Sequence, residues 1–290
     1  MIRGLETADL PSLTLLVRDL LPTQVVSERG LDHMRKSTRW WVADDNGGIV
    51  GAGRAGRFGR CWVGVAAEAR GRGIGRELAE CVEAAVRDDG HREAVTWTDD
   101  DVGARFAERN GFRETRRKPV SVLRLDEAEL PPLDIPAGVR LQPLVDLADR
   151  LRDLHSLAMA AHRDDPADRL DAEQSFEDWL RDDLGVPDLE YRGSVVAVVD
   201  DRLAALAFVA SDRVARAENE FTGTHPDVRG RGLATTVKLS TLHWARAQGI
   251  REIWTSNDAE NAHMLAINAK LGYVPASVRR KHVKTLTSES

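Results

Sequence analysis

A chain of 290 residues has room for one large domain or for two of ordinary size. Hydrophobic residues make up 42% and charged residues 30%, and no run reaches the roughly 20 apolar residues of a membrane helix, so a disordered, fibrous or membrane-spanning protein is not expected. The net charge of −6 speaks against a nucleic-acid wrapper and mildly for a cationic partner. Cys61 and Cys81 offer neither a disulfide framework nor metal-ligand spacing, so no metal is expected. The N-terminus, MIRGLETADL, lacks a signal-peptide pattern, and a cytoplasmic location follows as an expectation.

In chain order, a short strand at Ile2–Leu5 leads into a helical region. Trp40–Ala43 and Ile49–Gly53 flank the turn Asp45-Asn46-Gly47-Gly48 and read as a hairpin. VGVAAEARGRGIG (63–75) follows, a strand end, a loop and a helix start. That helix has Ile74, Leu78, Val82, Ala85 and Val86 on one face. EAVTWT (93–98) reads as a strand, Asp101–Asn110 as a helix, and Gly111-Phe112 precedes a last strand.

The pattern then repeats. After a short strand at Val139–Gln142 and a helical region, SVVAVVD (194–200) and RLAALAFVA (202–210) flank an Asp200-Asp201 turn. TGTHPDVRGRGLA (222–234) matches the first loop, and its helix shows Leu233, Val237 and Trp244 on the apolar side. EIWTSN (252–257), a helix and Gly272-Tyr273 follow, and the first copy's last helix, Asp101–Asn110, reads about one turn shorter than the second's. Trp97 and Trp254 hold matched places and are expected in the core. A repeat this long means a duplicated domain rather than a solenoid. DEAELPPLDIPAG (126–138), with three prolines and four acidic residues, suits an extended linker. The expected division is therefore 1–125, linker 126–138, and 139–290. Each half reads β-α-α-β-β-β-α-β-α-β, an α/β fold with a mixed sheet and helices on both faces.

A Gly-rich turn at a helix start gathers backbone N–H groups and the positive end of the helix dipole at one point. Arginines add charge and bidentate hydrogen bonding, which suits a pyrophosphate. Neither copy fits the dinucleotide pattern GxGxxG, since Arg76 and Thr235 stand at the third glycine.

Arg70-Gly71-Arg72-Gly73-Ile74-Gly75 and Arg229-Gly230-Arg231-Gly232-Leu233-Ala234 resemble the GNAT acetyltransferase signature [Q/R]xxGx[G/A]. His225-Pro226 and the segment NDAENAHMLAINAKLGY (257–273) are similar to that family as well. The resemblance covers the whole chain as two tandem copies. It implies a sheet splayed at its fourth and fifth strands, with acetyl-CoA as acyl donor and its pyrophosphate on the loop. Expected cofactor contacts are Thr222, Thr224, Arg229, Gly230, Arg231, Gly232, Leu233 and Ala234 in the second copy. In the first they are Val65, Arg70, Gly71, Arg72, Gly73, Ile74 and Gly75.

Acyl transfer to an amine needs a proton acceptor. On the strand before the second loop, alternation puts Glu218, Glu220, Thr222 and Thr224 on one face; the two carboxylates read either as the base, with Glu220 favoured because it lies nearer the loop, or as two solvated residues on an exposed face. Cys61 and Gly59 match them in the first copy, so catalysis is expected in the second. Asn268 stands where many family members carry a tyrosine acid. Asn257, Asn261 and Asn268 are read either as cofactor and substrate contacts or as helix caps. The acidic stretch 162–190 would draw a cationic small-molecule amine, or is simply a solvated helix pair whose Phe176, Trp179 and Leu180 form core or lid. Alternatives are a non-catalytic acyl-CoA sensor and an aminoacyl-tRNA-dependent transferase on the same fold. Nucleic-acid and membrane partners are not expected.

Overall fold

The computed structural model describes residues 1–45, 47–162 and 174–286. In the first copy the elements run β1 (Ile2–Gly4), α1 (Leu10–Leu20), α2 (Glu28–Met34), β2 (Arg39–Asp45), β3 (Gly48–Ala55), β4 (Cys61–Val65), α3 (Ile74–Asp88), β5 (Glu93–Thr98), α4 (Asp101–Arg109) and β6 (Arg113–Arg124). The second copy repeats the order with β7 (Val139–Pro143), α5 (Leu151–His162), α6 (Phe176–Trp179), β8 (Val195–Val199), β9 (Arg202–Ser211), β10 (Arg216–Thr224), α7 (Leu233–Ala247), β11 (Glu252–Ser256), α8 (Ala262–Lys270) and β12 (Val274–Thr285). The β-α-α-β-β-β-α-β-α-β pattern thus appears twice.

The first compact unit is Met1–Arg117 with the stretch from Ser277 on. Its strands β1 to β4 form an antiparallel meander. Successive residues of β2 point to opposite faces. Trp40 and Val42 join Leu10, Leu13 and Val17 of α1 on one side, while Trp41 packs with Val82 and Val86 of α3 on the other. The apolar face of α3 buries Leu78, Val82, Ala85 and Val86 as its 3.6-residue period requires.

The second unit is Lys118–Ala276. Its β7, β8 and β9 are antiparallel neighbours, and β8 and β9 are buried almost throughout. Such near-continuous apolar runs belong to strands covered on both faces. Leu154, Leu157 and Trp179 cover one face; Leu233, Val237 and Leu242 belong to the clusters on the other. The hairpin turn at Asp200-Asp201 has φ of 48° and 60°, the left-handed pair that matches strand twist. Trp179 is core and Phe176 and Leu180 pack beside it, so the apolar side of that acidic segment is core; positions 163–173 of the segment lie outside the described residues.

Three sequence expectations are corrected. First, the chain does not divide at one place. Residues 120–124 of β6 pair with β11 in the second unit, and residues 280–285 of β12 pair with β5 in the first. The stretch 126–138 lies within the second unit, with Ala128, Leu130 and Leu133 against its core and the Pro131 carbonyl 2.8 Å from His243 Nε2. Hydrophobic patterning reports that a strand is buried, not which neighbour it pairs with. Second, α4 and α8 are equally long, nine residues each, because 257–261 forms a loop that Asn261 ends by accepting from the Met264 amide at 3.1 Å. Third, Trp97 and Trp254 are only half-buried, and Trp97 lines a cavity.

Gly59, just before β4, has φ +69°, and a Cβ there would stand 2.0 Å from the Glu93 carbonyl oxygen of β5. Close backbone approach and a left-handed dihedral both demand glycine. Gly59→Ala is expected to lower the unfolding free energy by about 2–4 kcal/mol in urea titration, the range of strained core substitutions.

Candidate active site

Both loops are built alike. Gly71 and Gly73 have φ of 78° and 86°, Gly230 and Gly232 of 76° each, and nothing lies within 4 Å of a Cβ at Gly71, Gly230 or Gly232. The left-handed glycine ends the loop and starts α3 or α7, whose first amides have no intrahelical acceptor. The preceding arginine ties the loop to its strand: Arg70 Nε donates to the Val65 carbonyl at 3.1 Å, and Arg229 Nε to the Thr224 carbonyl at 3.3 Å. Arg72 pairs with Asp45 at 2.8 Å.

A splay follows each loop's strand. In the second unit β10 and β11 run parallel from Arg216↔Glu252 to Asn219↔Thr255, the last paired rung, and part beyond it. In the first unit β4 and β5 meet at the parallel bridge Arg60↔Val95, where Arg60 holds the place of Asn219 in the loop match. The regular pairing of the loop's strand with its parallel neighbour therefore ends at the same residue of that strand in both copies, Asn219 and Arg60.

At that point β10 is bulged. Asn219 pairs with Val209 and Phe221 with Phe208, leaving Glu220 as the extra residue. Glu218 pairs with Ala210 and Thr222 with Ala207, three places apart on β9, so they face opposite sides of the sheet. The simple alternation that grouped Glu218, Glu220, Thr222 and Thr224 is thereby overturned. Glu220 is exposed, and Glu218 is half-buried.

A buried polar network pins the bulge. The Tyr273 hydroxyl donates to Asn219 Oδ1 at 2.6 Å, and Asn219 Nδ2 donates to Thr241 Oγ1 at 2.9 Å. Lys238 of α7 lies beside them, only 1% exposed, and donates from Nζ to Thr255 Oγ1 at 3.4 Å. Its nitrogen sits 4.9 Å from the centre of the Tyr273 ring. Burial strips the ammonium of water and pulls its pKa from 10.5 down to about 7. The same burial pushes the Tyr273 phenol well above its usual value.

The second unit's V opens into a cavity of about 330 Å³. Glu220, Thr222, Asn257 and Asn261 line it together with Lys238, Lys118, Asp182, Asp183 and Asp258. Glu218, Thr224, Asn268 and the loop from Arg229 to Ala234 are not among its walls. Asn268 is buried and donates to Asn257 Oδ1 at 2.6 Å. Asn261 both lines the cavity and caps α8.

The first unit's cavity is larger, about 820 Å³. It takes in Val65, Arg70, Gly71, Gly73, Ile74 and Gly75, but not Arg72. Trp62, Val63, Trp97 and Phe106 make its walls largely apolar. Cys61, where the second copy has Glu220, is buried, and burial pushes its thiol up to about 12.

Sequence reasoning missed Lys238. The signal was present: Ala234, Lys238, Leu242 and Ala245 follow a helical spacing, which places the lysine on the buried stripe of α7.

Comparison with known proteins agrees with this geometry. A family model described as "Acetyltransferase (GNAT) domain" matches residues 36–114, and one described as "Acetyltransferase (GNAT) family" matches residues 149–273. Mycothiol acetyltransferase of Rhodococcus jostii is 27% identical, over 93% of this chain and 92% of the relative. The protein of the same name from Nocardia farcinica is 28% identical, over 74% of this chain and 70% of its own. Among solved structures, a tandem GNAT protein from the clavulanic acid biosynthesis pathway superposes with a TM-score of 0.78 at 20% identity, covering 100% of this chain and 99% of that one. A GCN5-related N-acetyltransferase from Sphaerobacter thermophilus gives 0.70 at 18%, over 100% and 96%. With both halves matched by its models, the chain belongs to the GNAT acetyltransferase family and carries two of its domains in tandem.

Proposed function

We propose that the second unit transfers an acetyl group from acetyl-CoA to the primary amine of a small, cationic acceptor. The observation that carries this reading is the bulge that sets Glu220 into a cavity beginning where β10 and β11 part.

The residues present suit acetyl-CoA. Open space above Gly230 and Gly232 leaves room for a diphosphate against the loop amides of α7. Thr224 Oγ1 and Asn268 Oδ1 are buried polar atoms with no hydrogen-bond partner among the described residues, which a polar ligand would satisfy. Backbone N–H groups of β10 past the last rung are positioned to polarise a thioester carbonyl. Glu220 then takes the proton that makes the attacking ammonium a free amine. Asp182, Asp183 and Asp258 give the cavity an acidic wall that favours a cation. The relatives' names put a mycothiol-related amine first on an acceptor panel, followed by amino sugars, aminoglycosides and polyamines.

The first unit reads as a binder. Its loop opens directly onto an apolar cavity, and Cys61 and Gly59 supply no base at the matched positions.

Aspartate tolerates the left-handed dihedral but brings negative charge to the anion cradle. Gly232→Asp is expected to weaken acetyl-CoA binding at the second site more than tenfold and to stop thiol release. Gly73→Asp is expected to leave turnover intact while removing one calorimetric binding event. Turnover lost in Gly73→Asp and kept in Gly232→Asp would move catalysis to the first unit.

A further inference from the structure

Acylation of an ammonium strips two protons from its nitrogen, and Glu220 accounts for one. The nitrogen must shed a second after it attacks, and the departing thiolate must receive one to leave as a thiol. The chain has two tyrosines. Tyr273 has its hydroxyl committed to Asn219, and the hydroxyl of Tyr191 donates to the Leu184 carbonyl at 2.9 Å. Asn268 is an amide, which donates hydrogen bonds but is no general acid.

Lys238 is the group left at the apex of the V. Its Nζ contacts Thr255 of the last β10–β11 rung, one residue before the bulge on the β10 side. It lines the cavity from below while being almost wholly buried. Among the described residues no carboxylate pairs with it, and desolvation is what lowers its basicity. The ring face of Tyr273 and the hydroxyl of Thr255 are its neighbours, enough to receive a transient ammonium without making it permanent. The ionisable groups that share its cavity are Glu220 from β10, Asp258 from the loop after β11, Lys118 from β6, His162 from α5, and Asp182 and Asp183 from the turn after α6.

We propose that Lys238 carries the second proton from the acylated nitrogen to the sulfur of coenzyme A. This rests on the acyl-transfer reading above. Glu220 first takes one proton from the ammonium and passes it to solvent. The nitrogen lone pair then forms the C–N bond. As the carbonyl re-forms and the C–S bond breaks, the remaining surplus N–H proton passes to Lys238 Nζ. The lysine ammonium gives that proton to the sulfur, so coenzyme A leaves as the thiol and the lysine is uncharged again.

The test is the pH dependence of acetyl-CoA turnover in the full-length wild type, Lys238→Met and Glu220→Gln. Wild type should show an activity limb near pH 7 that Lys238→Met lacks. That variant should lose about 100-fold in kcat with the KM for acetyl-CoA unchanged within about threefold, the range typical of a lost proton-transfer group. A merely structural lysine would lower activity without removing the limb. Lys238→Met turning over within threefold of wild type, or keeping the limb, overturns the proposal. Should the variant fail to fold, carbon-13 labelling of lysine in the wild type decides: one ε-carbon should titrate near neutrality and shift when coenzyme A is added. All lysines titrating near 10 would overturn it. Wild type inert towards every amine on the panel sinks the acyl-transfer reading itself, whereas an active wild type matched by Lys238→Met sinks only the lysine's role.

Discussion

Glu220→Gln should lower kcat for amine acetylation by two to three orders of magnitude, about 3–4 kcal/mol of barrier, and leave acetyl-CoA binding intact. Glutamine keeps the size and the polar contacts of the side chain but cannot take a proton. The bulge makes the expectation specific. Glu220 is the extra residue of the bulge and lines the cavity, whereas Glu218 stays in register opposite Ala210 and lines no part of it. Glu218→Gln should therefore cost less than about fivefold, within the range of an indirect effect on a neighbouring base. Steady-state kinetics of both variants with one acceptor separates them. Equal losses would mean that the two carboxylates act together; no loss in Glu220→Gln would remove the base from this strand.

Lys238→Met should make the protein more stable near neutral pH and flatten its dependence on alkalinity. In the unfolded chain a lysine keeps its proton to about 10.5, whereas Lys238 in the folded chain keeps it only to about 7. Between these values unfolding takes up a proton, so folded-state stability rises with pH from about 7 towards 10, and the contribution is absent below 7. A displacement of this size corresponds to roughly 5 kcal/mol if fully realised. Methionine has a similar length and fits an apolar gap without a charge to desolvate. Urea titrations at pH 7 and pH 9 should show a clear gain for wild type and little change for the variant. Identical pH slopes would mean that the lysine is solvated in the folded protein.

Much of the architecture could be read from residues alone, because duplication presents the same signals twice. The paired RGRG loops, the apolar face of α3 and the Asp200-Asp201 turn are local patterns, set by side-chain period and backbone dihedral, and local patterns survive without knowledge of the partner. The features that escaped depend on tertiary neighbours. No glycine or proline announces the bulge at Glu220; the hydrogen bonds of Asn219 to Tyr273 and Thr241 accompany it, from 54 and 22 residues away. Alternation therefore grouped Glu218 with Thr222. The fate of β6 and β12 was equally hidden, since a strand's composition is the same whichever sheet receives it. Lys238 was overlooked because lysine on an amphipathic helix normally marks the solvent side. Asn261 was legible as a cap candidate, and its capping bond is what sets the start of α8.

The crossed placement of the closing strands has a consequence for biosynthesis. The first unit draws residues from Ser277 onward, so its sheet stays unfinished until β12, through Thr285, has left the ribosome. Until then β5 presents a bare edge of amides and carbonyls to the cell. Severing the polypeptide at 126–138 would produce two fragments, each holding a strand that the other requires. Such fragments should recover their fold when mixed and aggregate when kept apart. A gene encoding this arrangement cannot shed either copy by simple truncation, which ties the fate of one copy to that of the other.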